Sequence, residues 1–232
     1  MTIAIMQPYF LPYIGYFQLM HAVDKFVLYD DVAFINRGWI NRNRLLVNGR
    51  DFLFTVPLKD ASQNRMIRDI ALGDDPKWRA KLLQTINQSY RKAPFYTTAL
   101  PLLEKIVNLE VKTIAELVRE SLVLINDFMG IKTEIVPTST IYGNQHLKGQ
   151  ERILDICKQE GATRYINPIG GLELYDKELF RQEGIELFFH RSRRAEYPQA
   201  GNDFVPWLSV ADILMYNDRE AVGKMLDEYD LV

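Results

Sequence analysis

The chain predicts an α/β fold, a Rossmann-like parallel sheet with helices on both faces that carries a β-hairpin and helical insertion. Three observations carry this. Short apolar runs recur between helical patterns: Thr2 to Met6, Phe26 to Tyr29, Glu134 to Val136, Arg164 to Ile166 and Glu186 to His190. The first two are joined by a helix-bearing crossover of the length a parallel pair requires. Polar and aromatic residues gather where those strands stop, at the edge where open α/β sheets bind ligands.

Following the chain, Thr2 to Met6 runs into Gln7-Pro8-Tyr9 and a turn closed by Pro12, then a helical pattern, then Phe26 to Tyr29. His21 falls on the helical stripe of Ile14 and Phe17 and is expected to be half-buried. Trp39 to Val47 and Asp51 to Val56 flank Asn48-Gly49, a dipeptide suited to a type I′ hairpin turn. Ile67 to Leu72 is expected to add a strand to that small sheet. From Asp75 to Met129 the period is helical, with Thr113 and Glu116 as a capping box before the stripe of Ile114, Leu117, Val118, Leu122, Ile125 and Met129. A helix from Gln150 to Glu160 and another from Gly171 to Gln182 restore the strand–helix rhythm, and helical segments follow Ser209 and Asn217. No repeat or linker divides the chain, so 1–232 is expected to form a single α/β domain with 39–130 as the insertion.

Composition narrows the function classes. A formal charge of −2 gives no reason to expect nucleic-acid binding driven by net charge. No basic segment precedes an apolar core at the N-terminus, and no apolar run approaches about 20 residues. The expectation is a soluble cytoplasmic protein without membrane insertion. The lone Cys157 shares a helix face with Ile153 and Leu154, which reads as a buried structural thiol. The three histidines lack the spacing of a zinc site, so no metal ligation by histidine is expected.

Four groups remain as candidates for a site. Asp30 and Asp31 end the second strand and are candidate bases or Mg²⁺ ligands beside substrate phosphates, though strand alternation would let only one face the site. His146, in a Gly/Asn/Gln loop, is the third candidate base. Arg37, Arg42, Arg44 and Arg50 form a basic run, read either as an anion clamp or as a solvated hairpin face. Trp39 and tyrosines 9, 13, 16 and 29 offer stacking faces or core packing, and Gln7, Tyr9 and Asn41 complete the near side of the pocket. Asn167-Pro-Ile-Gly170-Gly171 follows a strand and precedes a helical pattern. Its glycines would admit a phosphate at a helix N-terminus, or make a plain turn. All these residues are expected to converge at one sheet edge.

The blocks Met6-Gln-Pro-Tyr-Phe-Leu-Pro-Tyr-Ile-Gly-Tyr-Phe-Gln18, Tyr29-Asp-Asp-Val32, Arg37-Gly-Trp-Ile-Asn-Arg42, Tyr165-Ile-Asn-Pro-Ile-Gly-Gly171, Phe204-Val-Pro-Trp-Leu-Ser209 and Ile213-Leu-Met-Tyr-Asn217 resemble the WbqC-like family over nearly the whole chain. That resemblance implies a place in bacterial O-antigen, lipopolysaccharide or other surface-polysaccharide synthesis. It also implies a transferase that moves a glycyl or other acyl group onto a nucleotide-linked amino sugar. Its partners would then be small molecules, the nucleotide sugar and an activated acyl donor, and it brings no cofactor or catalytic residue set with it. A weaker likeness joins Phe10, Pro12 and Gly15 to the nucleotidylyltransferases, whose paired histidines on the following helix this chain lacks. The other class left open is a non-catalytic nucleotide-sugar-binding module.

Overall fold

The strand order of the main sheet reverses at its centre, and that reversal positions everything of functional interest. In a computed structural model describing residues 1–200 and 203–232, the sheet strands are β1 (Thr2–Met6), β2 (Lys25–Leu28), β5 (Glu134–Val136), β6 (Arg164–Pro168), β7 (Glu186–Ser192) and β8 (Tyr229–Leu231). They lie in the order β5-β2-β1-β6-β7-β8. β1 pairs with β2 in parallel register from Ile3 opposite Lys25 to Met6 opposite Leu28, as the apolar runs predicted. Only β8 is antiparallel, against β7. This is the doubly wound order of dinucleotide-binding sheets, with the switch point between β1 and β6.

At the switch point the β1–β6 ladder is short. It pairs Thr2 with Arg164 and Ile3 with Tyr165 and then stops, although the strands continue to Met6 and Pro168. The two strands therefore separate toward their carboxyl ends and leave a crevice. Alternation sends their side chains to two cores. Ala4, Phe26, Leu28 and Ile166 pack with helix α1 (Ile14–His21) on one face. Ile3, Ile5, Val27 and Tyr165 pack with α5 (Gly149–Gln159) and α6 (Lys177–Gln182) on the other.

The insertion contributes the hairpin β3 (Arg42–Val47) and β4 (Arg50–Thr55). Its turn uses Asn48 at φ 50° and Gly49 at φ 74°, the left-handed pair that a type I′ turn needs. Helices α2 (Trp78–Tyr90), α3 (Tyr96–Val107) and α4 (Ile114–Met129) follow. The predicted capping box starts α4: Thr113 Oγ1 accepts from Glu116 N at 3.2 Å, and Glu116 accepts from Thr113 N at 3.1 Å. The insertion's buried residues join the core on the α1 face, and the Phe10 and Phe54 rings meet edge-on at 6.3 Å.

Three sequence expectations are corrected, and one strand is new. Ile67 to Leu72 is not a strand. Ile67–Asp69 forms a 3₁₀ turn that buries Ile67 and Ile70 together, a spacing of three that suits a turn rather than alternation, and only single bridges follow at Ala71 and Leu72. The helix expected from Gly171 begins at Lys177, after a 3₁₀ turn at Ile169–Gly171, because Asp176 caps it by accepting from Glu178 N at 2.9 Å. His21 is exposed rather than half-buried, at the last position of α1 and 3.5 Å from Asp227. β8 was not foreseen: three residues after a helix give no readable alternation. Two further helices, α7 (Val210–Tyr216) and α8 (Arg219–Leu226), complete the chain's helical content in the regions expected.

Candidate ligand cleft at the switch point

The loop leaving β1 is held in an unusual shape. Leu11 sits at φ 45°, a left-handed conformation that side-chain-bearing residues disfavour. Its carbonyl accepts from Asn43 Nδ2 and from Ser209 Oγ, each at 2.8 Å and each buried. Phe10 N donates to Ile40 O at 3.0 Å, and Val210 N donates to Pro12 O at 2.8 Å. Hairpin and α7 thus clamp the loop from both sides and fix Tyr9 and Tyr13 over the sheet edge. Tyr16 Oη adds a bond to Gln7 O at 2.9 Å.

These tyrosines face two tryptophans. Trp207, itself at φ 60°, meets Tyr13 edge-on at 5.8 Å. Trp39 is half exposed, with the Arg42 and Arg44 guanidinium carbons 5.8 and 5.4 Å from its ring centre. Two adjoining cavities result. One of about 270 Å³ is lined by Tyr9, Pro12, Tyr13, Trp39, Asn43 and Trp207. The other, about 350 Å³, shares Tyr9, Tyr13, Trp39 and Trp207 and reaches down to Met6, Gly15, Gly170, His190 and Arg191, across the crevice where β1 and β6 part. Burial raises the Tyr9 and Tyr13 phenols, so these hydroxyls stay protonated and act as donors.

Of the residues expected to converge, Tyr9, Trp39 and Gly170 line this cleft. Arg42 supports its wall: Nε donates to Gly38 O at 2.8 Å and Nη2 to Arg37 O, which folds the exposed Arg37–Gly38 loop under Trp39. Asn41 Nδ2 donates to Val56 O at 2.8 Å and holds the hairpin instead. Gln7 contributes its carbonyl to Tyr16. Asn167 turns to the opposite face, where its Oδ1 accepts from Tyr165 Oη at 3.0 Å. Gly171 is tight, since a Cβ there would run into Asn167 Nδ2. The helix beyond has its first turn already occupied by the Asp176 carboxylate, so the anion site foreseen there does not form.

Asp30 and Asp31 also belong to the other face. Both lie beyond the end of β2, so strand alternation does not separate them, and both reach Ser139. Asp30 Oδ1 accepts from Thr138 Oγ1 at 2.8 Å and Ser139 N at 3.1 Å. Burial raises the Asp30 carboxyl despite these bonds, and the Asp31 charge adds to the rise. Asp31 is paired with Arg152 Nη2 at 2.6 Å and accepts from Gln145 Nε2 at 3.1 Å. Arg152 also donates to Asn144 Oδ1 at 2.9 Å and lies over the Tyr29 ring. None of these residues lines the cleft, and neither does His146, which is exposed. No group of three or more His, Cys, Asp or Glu is placed to hold a metal among the described residues.

Sequence reasoning gave no site role to Trp207, Asn43, His190 or Arg191. Trp207 had a visible signal, an aromatic between Pro206 and Ser209 in a loop. His190 was seen only as the end of a strand, and its lining of the cleft depends on β7 standing next to the switch point.

Fold and cleft together define an α/β protein of the Rossmann-like class with a ligand-sized crevice at its switch point. The chain belongs to the WbqC-like protein family, whose model matches residues 7–224. It is also 27% identical over 223 residues to an uncharacterized protein of Mycobacterium tuberculosis (Rv1507c), covering 94% of this chain and 95% of that protein. No solved structure matches the chain significantly. No helix among the described residues is long and apolar enough to cross a membrane.

Proposed function

We propose that this protein is a group-transfer enzyme of bacterial surface-polysaccharide synthesis. It would bind a nucleotide-linked amino sugar in the switch-point cleft and place a glycyl or other acyl group on the sugar's amine. The observation that carries the reading is the wall of four aromatic rings, Tyr9, Tyr13, Trp39 and Trp207, at the splayed ends of β1 and β6. Flat apolar faces beside donors and guanidinium groups suit a ligand with a ring at one end and anionic oxygens at the other. In the transfer the amine nitrogen attacks the acyl carbon, the leaving group departs with the bonding electrons, and a base takes the amine proton.

Titration of nucleotide-linked amino sugars against the wild type, Trp39→Ala and Trp207→Ala tests the binding step. Loss of a stacking face should weaken binding by about 1–3 kcal/mol, and unchanged affinity in both variants overturns the proposal. One observation favours a second reading, a non-catalytic binding module: Asp30, Asp31 and His146, the candidate bases, lie outside the cleft lining. Turnover separates the two, since only an enzyme consumes an activated acyl donor.

A further inference from the structure

The deep end of the cleft contains a buried side chain that the aromatic wall does not explain. His190, near the end of β7, is 3% exposed, and its Nε2 has no hydrogen-bond partner among the described residues. Its ring packs against Tyr229 at 4.7 Å and lines the same cavity as Gly15, Gly170 and Arg191. An unpaired buried imidazole nitrogen costs free energy unless something bonds it. Directly across the crevice stands the start of α1. Ile14 and Gly15 are its first two residues, and their amides have no acceptor within the helix. No side chain caps this N-terminus and its first turn holds no acid. Arg191, the next residue of β7, is turned by strand alternation to the opposite face, in register with Asp230. Backbone donors at the positive end of a helix and an unpaired buried imidazole nitrogen thus face one small volume without an acid among its lining residues.

We infer that this end of the cleft is a phosphate subsite, in which the Ile14 and Gly15 amides and His190, in the tautomer that carries its hydrogen on Nε2, hold the phosphate group of a nucleoside diphosphate. The inference builds on the nucleotide-sugar reading and gives the ligand a direction, with phosphates at the α1–β7 end and the sugar or base among the tryptophans. Glycine at position 15 fits this arrangement. A Cβ there would come within 3 Å of the Tyr13 ring, so any other residue would push that ring off the helix start.

Amide and imidazole ¹⁵N shifts, followed by NMR, read the subsite in the unaltered protein. Inorganic pyrophosphate, which has neither base nor sugar, should shift the Ile14 and Gly15 amides and the His190 ring nitrogens. UDP and ADP should do the same, whereas uridine and adenosine should not. In His190→Ala the affinity for pyrophosphate and for both diphosphates should fall by about tenfold or more, as loss of a charge-assisted bond predicts, and His190→Gln, which keeps a donor, should recover part of it. Absence of shifts at Ile14 and Gly15 under saturating pyrophosphate overturns the inference, as does wild-type affinity in a folded His190→Ala protein. The outcome is separable from the larger reading. A pyrophosphate response with Trp39→Ala and Trp207→Ala both silent toward nucleotide sugars keeps the phosphate subsite and removes the nucleotide sugar. The reverse pattern does the opposite.

Discussion

Replacing Arg152 by methionine should cost this protein a large part of a typical stability margin. The Asp31 side chain is fully buried and Arg152 is 5% exposed, at 2.6 Å. Removing one member of such a pair strands the other charge, which typically costs 3–5 kcal/mol. Methionine preserves most of the stem packing, so lost volume adds little. The expected loss is therefore about 3–4 kcal/mol at pH 7, with the lost bonds to Asn144 and Asp31 as its source. For a chain of this size that corresponds to a fall of roughly 6–16 °C in Tm at neutral pH. Urea unfolding of the single variant and of Asp31→Asn/Arg152→Met at pH 7 measures it, and the neutral double variant should recover much of the loss. A deficit under about 1 kcal/mol at pH 7, the range of a surface pair, or a double variant no more stable than the single one, would refute the reasoning.

Three further outcomes follow from the same kind of accounting. Burial lowers His190 to about 4 from 6.5, so the unfolded chain binds its proton first. That part of the stability is whole above pH 6.5 and is lost as pH falls toward 4, up to about 3 kcal/mol. Asp30 and Asp212, raised by burial, act in the opposite sense, so the difference between wild-type and His190→Gln unfolding curves isolates the effect; superimposable pH profiles would refute it. Cys157 is buried and its thiol is pushed up to about 12. It should resist iodoacetamide at pH 8 by mass spectrometry, and Cys157→Ala should cost only about 1 kcal/mol. Arg42→Ala should weaken nucleotide-sugar binding by about 1.5–3 kcal/mol by releasing the Arg37–Gly38 loop beneath Trp39. Arg37→Ala, whose side chain is exposed, should act through charge alone and lose its effect at high salt in calorimetric titrations.

Much of the scaffold is legible in the chain because its signals are local. Asn48-Gly49, Thr113 with Glu116, and the apolar runs at Thr2 and Phe26 each fix a turn, a cap or a strand from adjacent residues. The site is legible in part. Tyr9, Trp39 and Gly170 meet because the loops that carry them leave the same sheet edge. Asn167 escapes that logic, since alternation along β6 decides its face and pairs it with Tyr165. Asp30 and Asp31 escape it as well. Asp30 is held by Thr138 and Ser139 and Asp31 by Arg152, 121 residues away, partners that no local pattern announces. Ile67 and Ile70 mislead in the other direction, because β-branched residues suggest a strand whereas their spacing favours a turn.

The single oxygen of Leu11, bonded by Asn43 and Ser209, has a consequence for how the molecule is made. Three segments separated by most of the chain must be present before that bond pair closes, so the cleft belongs to the contacts of high sequence separation that form late. A nascent chain emerging N-terminal end first can pair β1 with β2 while the segment carrying Trp207 and Ser209 is still being synthesised. During that interval the Leu11 carbonyl has Asn43 alone as a partner, and Tyr13 has no Trp207 to face. Ligand capture would then be confined to the finished polypeptide, and a growing chain would present a sheet edge without a grip.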